Sequence, residues 1–218
     1  MDQISVERRA ARHAALGDPV RLAIVDELLT SDRSPAELRR VISVESNLLA
    51  HHLDVLERAG LIGRSASSGD RRRRYVHLHR EELPGLLSTA GVAGRRAVFV
   101  CTHNSARSQL AAALWTALTD APASSGGTHP AARVHPEAIR AGRRAGIDLS
   151  GTQPRSLGDV SITDALVITV CDQAHEALDP PSTWWHWSIA DPVRHPTKAT
   201  FDRTVAELRD RIDAVAAA

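Results

Sequence analysis

Apolar residues in the first sixty positions recur with the 3.6-residue period of an α-helix. Two such segments precede position 43, and a third covers residues 46–61. In the third segment Leu49, Leu53 and Leu56 fall on one face, while polar residues occupy the other. The pattern therefore predicts three short amphipathic helices, each with one side buried.

The ends of these helices are marked by residues that favour helix caps. Asp18 precedes a proline, which is typical of an N-cap followed by the first helical position. Ser34 and Glu37 have the spacing of a capping box, and Gly60 is expected to end the third helix. Two helices joined by a tight turn and followed by a third form the helix-turn-helix pattern.

A turn-rich and strongly basic segment follows the third helix. Residues 61–78 begin and end with strand-like sequence, and a Ser/Gly/Asp turn and four consecutive arginines lie between. We interpret this segment as a β-hairpin wing that contacts phosphates, while the preceding helix lies in the major groove of DNA. The alternative is a helical domain that serves only dimerisation. The predicted DNA-contacting residues are Ser46, Asn47, Ala50, His51, Arg71, Arg72, Arg73 and Arg74.

These motifs resemble the arsenical-resistance-repressor family of winged-helix regulators over roughly residues 10–80. The resemblance implies a homodimer that binds double-stranded operator DNA. The first cysteine of the chain is Cys101, which excludes a thiolate arsenite site in this domain. No metal site is expected, because the nearby candidate ligands are interpreted as solvated residues at the end of the wing. These candidates are His77, His79, Glu81 and Glu82.

A segment that mixes charged residues, proline and glycine separates this region from the rest of the chain. Residues 83–95 are interpreted as a linker between a winged helix-turn-helix domain at 1–82 and a second domain at 96–218. A short helix in the middle of residues 79–96 would contribute to dimer packing.

The second domain opens with an apolar strand, a loop and an alanine-rich helix. The strand ends at Cys101, and the helix begins near Ser108. This order starts an α/β unit and places the loop Cys101–Arg107 at the carboxyl end of a parallel strand and at a helix N-terminus. Backbone amides and the helix dipole favour an anion at such a position.

Several side chains of this loop suit nucleophilic attack on a bound oxyanion. Cys101 is the expected nucleophile, with a thiol pKa lowered by the helix N-terminus. Arg107 can hold a tetrahedral oxyanion through two parallel N–H bonds, and Ser108 can donate its hydroxyl to the thiolate. The residues expected to bind the oxyanion are Thr102, His103, Asn104, Ser105, Ala106 and Ser108.

The remaining elements complete an alternating pattern of strands and helices. A strand and turn are predicted at residues 123–131, a helix within 134–151, and a buried parallel strand at 164–171. Residues 187–193 are predicted to form a short strand that ends at an Asp-Pro pair. An amphipathic helix over residues 200–218 closes the domain. The whole chain is thus expected to be an α/β protein of two domains.

The second domain resembles the low-molecular-weight tyrosine phosphatase family, and within it the arsenate reductases, over about residues 96–215. The resemblance rests on the segments "FVCTHNSARSQ", "SGGTHPAARVHPEAIRAGRRAGIDLSG" and "WSIADPV". It implies a four-stranded parallel sheet flanked by helices. It also implies that Cys101 is the nucleophile, Arg107 the oxyanion clamp and Asp191 the general acid.

The cysteine pattern departs from that of thioredoxin-coupled arsenate reductases, in which three cysteine thiols react one after another. Cys171 matches the second position, but the third position falls near Leu178. Three readings stay open. A low-molecular-weight thiol with a glutaredoxin-like partner releases arsenite, Cys101 and Cys171 pair directly, or the domain is not a reductase. Cys171 is equally well explained as packing at a strand end.

Three functions are compatible with these residues. The favoured one is a thiol-dependent arsenate reductase fused to a DNA-binding regulator, with no bound cofactor and a redox protein as partner. The alternatives are a phosphatase of the same fold and a non-catalytic sensor of an oxyanion or arsenical. The phosphatase is less favoured because Val193 and Arg194, rather than aromatic residues, follow the Asp-Pro pair. Two cysteines and the lack of a membrane-spanning apolar run predict a cytoplasmic protein.

Overall fold

The structure is a computed structural model that describes residues 6–80, 92 and 94–216. The described residues divide into two compact units, residues 6–66 with 72–80, and residues 67–71 with 92 and 94–216. The helix expected in the middle of residues 79–96 falls on 81–91, outside the described residues. Most of the predicted linker and the candidate ligands Glu81 and Glu82 fall there too.

The first unit consists of four helices and a hairpin. The helices are α1 (Val6–Leu16), α2 (Pro19–Thr30), α3 (Pro35–Ile42) and α4 (Ser46–Arg58), and the antiparallel strands are β1 (Ile62–Ala66) and β2 (Arg74–Leu78). Helix α1 was not expected from the sequence as a separate element. The sequence did predict α2, α3, α4 and the wing hairpin.

The predicted caps form in this unit. The Asp18 side chain accepts hydrogen bonds from the backbone N–H groups of Val20 and Arg21, both at 3.0 Å. Ser34 and Glu37 make both bonds of the capping box at the start of α3. Gly60 has a φ of 72°, a left-handed conformation that glycine adopts without strain and that ends α4.

One apolar core holds the first unit together. The predicted inward residues Leu49, Leu53 and Leu56 are at most 3% exposed and pack with residues of α2 such as Ile24 and Leu28. The core joins α4 to α2 and therefore leaves the opposite face of α4 in solvent.

The second unit is a four-stranded parallel sheet with helices. The strands are β3 (Ala97–Cys101), β4 (Ala123–Gly127), β5 (Leu166–Thr169) and β6 (Trp185–His186), in the order β4-β3-β5-β6. The helices are α5 (Arg107–Thr119), α6 (Pro136–Arg144), α7 (Asp172–Leu178) and α8 (Lys198–Ala216). All neighbouring strands are parallel, so their carboxyl ends meet at one edge of the sheet.

Aromatic residues fill the centre of this unit although they are scarce in the chain. Phe99 lies between Trp115 and Trp187, with ring centroids 5.8 and 5.9 Å apart. Trp187 is fully buried, whereas Trp184 and Trp185 are partly exposed. Among the described helices, none combines the length and the hydropathy of a membrane-spanning segment.

The strand predicted at residues 187–193 is wrong. The last strand is instead β6, two residues long, which pairs with the end of β5 through Ile168 and Thr169. Because β5 ends at Thr169, only one further bond follows, from the Trp187 N–H to the Thr169 carbonyl at 2.8 Å. The chain beyond Trp187 therefore leaves the sheet as a loop, and this loop carries Asp191.

Candidate functional site

The loop between β3 and α5 wraps around the thiol of Cys101. The Asn104 backbone N–H donates to the Cys101 sulfur at 3.1 Å, and the Ser108 hydroxyl lies 3.0 Å from the same sulfur. The thiol is 3% exposed. The predicted hydrogen bond between Ser108 and Cys101 is therefore present in this structure.

Asn104 is the residue that holds the loop in shape. Its φ of 48° is left-handed, and its side-chain nitrogen donates to the hydroxyls of Ser108 and Ser125 at 2.8 and 2.9 Å. Its side-chain oxygen accepts bonds from the Gln109 side chain at 3.1 Å and the Arg155 N–H at 3.0 Å. Four bonds stabilise one unusual backbone conformation, which is how strained loops persist at functional sites.

The loop carbonyls bond away from the thiol. The Thr102, His103 and Ser105 carbonyls accept N–H groups from His129, Ala131 and His135, at 2.8 to 2.9 Å. With these carbonyls bonded outwards, the Asn104 N–H is directed inwards to the Cys101 sulfur. This arrangement fits a tetrahedral anion.

The end of strand β4 approaches this loop closely. A Cβ atom on Gly127 would lie 2.8 Å from the Thr102 carbonyl oxygen and 3.0 Å from the Asn104 Cβ. Since real Cβ contacts are essentially never so short, a larger residue here would displace the loop.

Arg107 and Asp191 come together at this site. The Arg107 guanidinium donates to the Ile189 carbonyl at 2.9 Å and lies 3.4 Å from the Asp191 carboxylate. The other Asp191 oxygen accepts the Val193 N–H at 3.1 Å. Burial alone would lower the pKa of Arg107, but the nearby Cys171, Asp191 and Cys101 raise it. Arg107 therefore stays charged.

The expected lowering of the Cys101 thiol pKa is wrong. Burial raises the pKa of Cys101, and this effect exceeds the opposing influence of Arg107 and of the Ser108 hydrogen bonds. The sequence suggested a thiolate because it showed the helix N-terminus but not how completely the loop encloses the sulfur.

The two cysteines of the chain are free thiols that lie in the same region. The Cys171 sulfur is 3.2 Å from the hydroxyl of Thr102, the residue next to Cys101. Cys171 is 1% exposed at the start of α7, and Leu178 at the end of that helix is 36% exposed.

Two further residues predicted to bind the anion differ in exposure. The His103 side chain is exposed, and Ala106 is buried.

Two buried residues that support the loop were missed in the sequence. Ser125 and Gln109 both bond to Asn104, from β4 and α5 respectively. Gln109 is adjacent to the loop and could have been found from its polarity in an apolar helix. Ser125 reaches the loop only through the pairing of β3 and β4, which the local sequence does not display.

The predicted DNA-contacting residues lie on exposed surfaces of the molecule. Ser46, Asn47, Ala50 and His51 occupy the solvent face of α4, whereas His52 is buried. The four consecutive arginines Arg71, Arg72, Arg73 and Arg74 are all exposed. Within the described residues, no three His, Cys, Asp or Glu side chains are grouped so that they could hold a metal ion.

The fold and the site define an α/β domain with a loop-enclosed cysteine, in a chain that also carries a helix-turn-helix domain. The family described as "Low molecular weight phosphotyrosine protein phosphatase" matches residues 96–218, and a "Helix-turn-helix domain" matches residues 16–62. The chain therefore belongs to the low molecular weight phosphotyrosine protein phosphatase family. The predicted fusion of these two domain types is confirmed.

Its relatives in this family include arsenate reductases. Arsenate reductase 2 of Staphylococcus haemolyticus (strain JCSC1435) is 34% identical over 122 residues, which is 53% of this chain and 91% of the relative. The arsenate reductase of Staphylococcus epidermidis (strain ATCC 12228) has the same identity and coverage.

Solved structures agree on the fold of the second domain. An arsenate reductase in the phosphate-binding state is 27% identical, with a TM-score of 0.51 over 56% of this chain and 97% of the other. A YwlE mutant from Bacillus subtilis has a TM-score of 0.50 at 20% identity and the same coverage, a likeness of fold alone.

Proposed function

We propose that this chain is an arsenate reductase fused to a DNA-binding transcriptional regulator of arsenic resistance. The observation that carries the proposal is the enclosure of Cys101 by a loop whose amides, together with Arg107 and Asp191, suit a small tetrahedral oxyanion. The similarity to arsenate reductases over 91% of their length supports arsenate as that oxyanion.

In the proposed first step the Cys101 sulfur attacks arsenic, and Arg107 and the loop amides hold the arsenate oxygens. Asp191 protonates the departing oxygen, which leaves as water. Because burial raises the pKa of Cys101, the resting thiol has to lose its proton before it attacks. The Asp191 carboxylate beside Arg107 can accept that proton and pass it to the departing hydroxyl of arsenate, so that one proton serves both the thiolate and the water.

In the proposed second step a thiol attacks the Cys101 sulfur. The sulfur–arsenic bond breaks, its electron pair stays on arsenic, and arsenite leaves while the two sulfurs form a disulfide. An external low-molecular-weight thiol with a glutaredoxin-like protein, or thioredoxin, then restores Cys101. Cys171 is the internal candidate for the attacking thiol, supported by its proximity to Thr102.

In this proposal the first unit is the DNA-binding part of the regulator. The exposed face of α4 and the arginines of the wing are proposed to contact operator DNA. Dimerisation through this unit and a cytoplasmic location remain predictions.

The test is arsenite production from arsenate by the purified full chain, with thioredoxin in one reaction and a glutaredoxin-type protein plus low-molecular-weight thiol in another. Cys101→Ser is expected to abolish turnover in both. Cys171→Ser is the matched thiol control. If this variant loses activity with only one of the two reductants, Cys171 takes part in the reaction that depends on that reductant. The absence of arsenite in both reactions, with hydrolysis of a simple aryl phosphate, would replace the proposal by a phosphatase.

A further inference from the structure

A buried polar cluster surrounds the backbone of Cys171. It comprises Thr169, Asp172, His175 and His186, all at most 3% exposed. Polar groups so deep in an apolar unit are costly unless they are paired. Each of these four has a hydrogen-bond partner within the cluster, so the cluster is built rather than incidental.

His186 joins the two sides of Cys171. Its Nδ1 lies 2.9 Å from the Thr169 hydroxyl, and its Nε2 lies 3.1 Å from the Asp172 carboxylate. Thr169 is two residues before Cys171, and Asp172 is the residue after it. One imidazole on strand β6 therefore connects the end of β5 to the start of α7 across the cysteine.

His175 reinforces this connection from the first turn of α7. Its Nδ1 lies 2.9 Å from the Thr169 hydroxyl, and its ring stacks on that of His186 with centroids 4.1 Å apart. Its backbone N–H donates to the Cys171 carbonyl at 3.0 Å. A helix of seven residues such as α7 is unstable by itself, so these tertiary bonds hold it.

The bond between His186 and Asp172 is strengthened by charge. Burial by itself raises the pKa of Asp172, but the hydrogen bond from His186 contributes to a net lowering to about 2. The carboxylate is thus ionised near neutral pH, and hydrogen bonds to ionised groups are about twice as strong as neutral ones.

We propose that His186, acting through Thr169 and Asp172, is a positioning residue for the thiol of Cys171. It holds that thiol beside the Cys101 loop so that the two cysteines form a disulfide while α7 stays folded. The inference rests on the proposed function only in treating Cys101 as the thiol that becomes oxidised.

The test follows disulfide formation in the reduced full chain after addition of diamide. Two thiols are oxidised to one disulfide, and the diazene takes up both hydrogens to become a hydrazine. Intact mass and peptide mapping give the rate at which Cys101 and Cys171 become linked. No arsenate is present, so this result is separate from the outcome of the turnover assay.

Two variants each remove one of the two contacts of the His186 ring and keep the other. His186→Asn retains a group near Nδ1 and so the contact with Thr169, and His186→Gln retains one near Nε2 and so the contact with Asp172. If both contacts position Cys171, each variant slows disulfide formation by about tenfold or more, because misplacement of reacting atoms by an ångström has effects of that size.

Two further measurements distinguish a loss of Cys171 positioning from a general loss of stability. The rate of Cys101 alkylation by iodoacetamide is expected to stay close to the parental rate in both variants, since the Asn104 side chain, and not His186, holds the Cys101 loop. Ile212→Val, in the core contributed by α8, serves as a destabilised control whose disulfide rate is unchanged.

Three results would overturn the inference: a parent chain that links the two cysteines no faster than it forms intermolecular disulfides, His186 variants with parental rates, or an equal slowing in Ile212→Val. Slow disulfide formation in the His186 variants would support it even if arsenate turnover failed.

Discussion

The wing and the Cys101 loop hold their functional side chains in opposite ways. In the wing, the arginines Arg71–Arg74 are exposed to solvent. In the second unit Cys101 and Arg107 are 3% and 5% exposed, and Asn104 is fully buried. Exposed charges act through long-range attraction that salt screens, whereas buried groups act only in one geometry. The comparison predicts that graded losses follow changes in the wing and abrupt losses follow changes in the oxyanion loop.

The largest effect is expected at Arg107. Arg107→Lys keeps the positive charge but loses the planar fork that bonds to Ile189 and faces Asp191. We expect kcat/KM for arsenate to fall by about a thousandfold. Arg203→Lys, on the exposed side of α8, is the matched control and should be unchanged. A loss of less than tenfold would show that charge alone suffices at the buried site.

The next effect is expected in the wing. Replacing Arg71–Arg74 by alanine should weaken binding to a mixed-sequence DNA duplex by about a hundredfold, and it should reduce the slope of log K against log salt by up to about 4. The measurement is fluorescence anisotropy at several salt concentrations. The control removes four exposed arginines of the second unit: Arg133, Arg140, Arg143 and Arg203. An equal change in that control would mean that net charge, not the wing, binds DNA.

A smaller effect is expected on the pH dependence of stability, through the carboxyl group of Asp172. The pKa of Asp172 is lowered from 3.8 to about 2 in the folded chain. A lowered carboxyl pKa stabilises the fold above the unfolded value, and that contribution, about 2 kcal/mol, is lost as pH falls from about 4 towards 2. Urea unfolding across this range is expected to show the loss in the parent and not in Asp172→Asn. If the unfolding free energies of the parent and of Asp172→Asn fell in parallel with pH, the lost stability could not be assigned to Asp172.

The smallest effect concerns a helix cap in the first unit. Asp18→Ala removes the acceptor of two backbone N–H groups at the start of α2 and should lower the midpoint of the thermal transition. The measurement is the thermal transition followed by circular dichroism. Asp26→Ala, at an exposed position of the same helix, is the control. Equal shifts in both variants would mean that the cap contributes nothing specific.

Much of the fold could be predicted because its signals are local. Asp18, the capping box at Ser34 and Glu37, and the left-handed Gly60 act within a few residues of themselves. The same holds for the loop from Cys101 to Arg107, where a strand, a turn and a helix follow one another directly. Such features depend on short-range backbone geometry, which the order of residues displays.

The errors have a common physical origin. The length of the last strand depends on where its partner β5 ends, at Thr169, and not on the sequence of residues 187–193. The direction of the Cys101 pKa shift depends on how much of the chain covers the sulfur. Both are properties of residues distant in sequence.

The sequence by itself predicted most of the helices and strands and the loop that is proposed to carry the chemistry, because capping, periodicity and the order of strand, loop and helix are short-range. Only the tertiary structure decided how those side chains are held. Ser125 supports Asn104, and His186 bridges Thr169 and Asp172, because parallel strands place residues far apart in the chain at one edge of a sheet. Burial at that edge raises the pKa of Cys101, whereas neighbouring groups outweigh burial at Arg107 and Asp172, and both influences are properties of the whole unit.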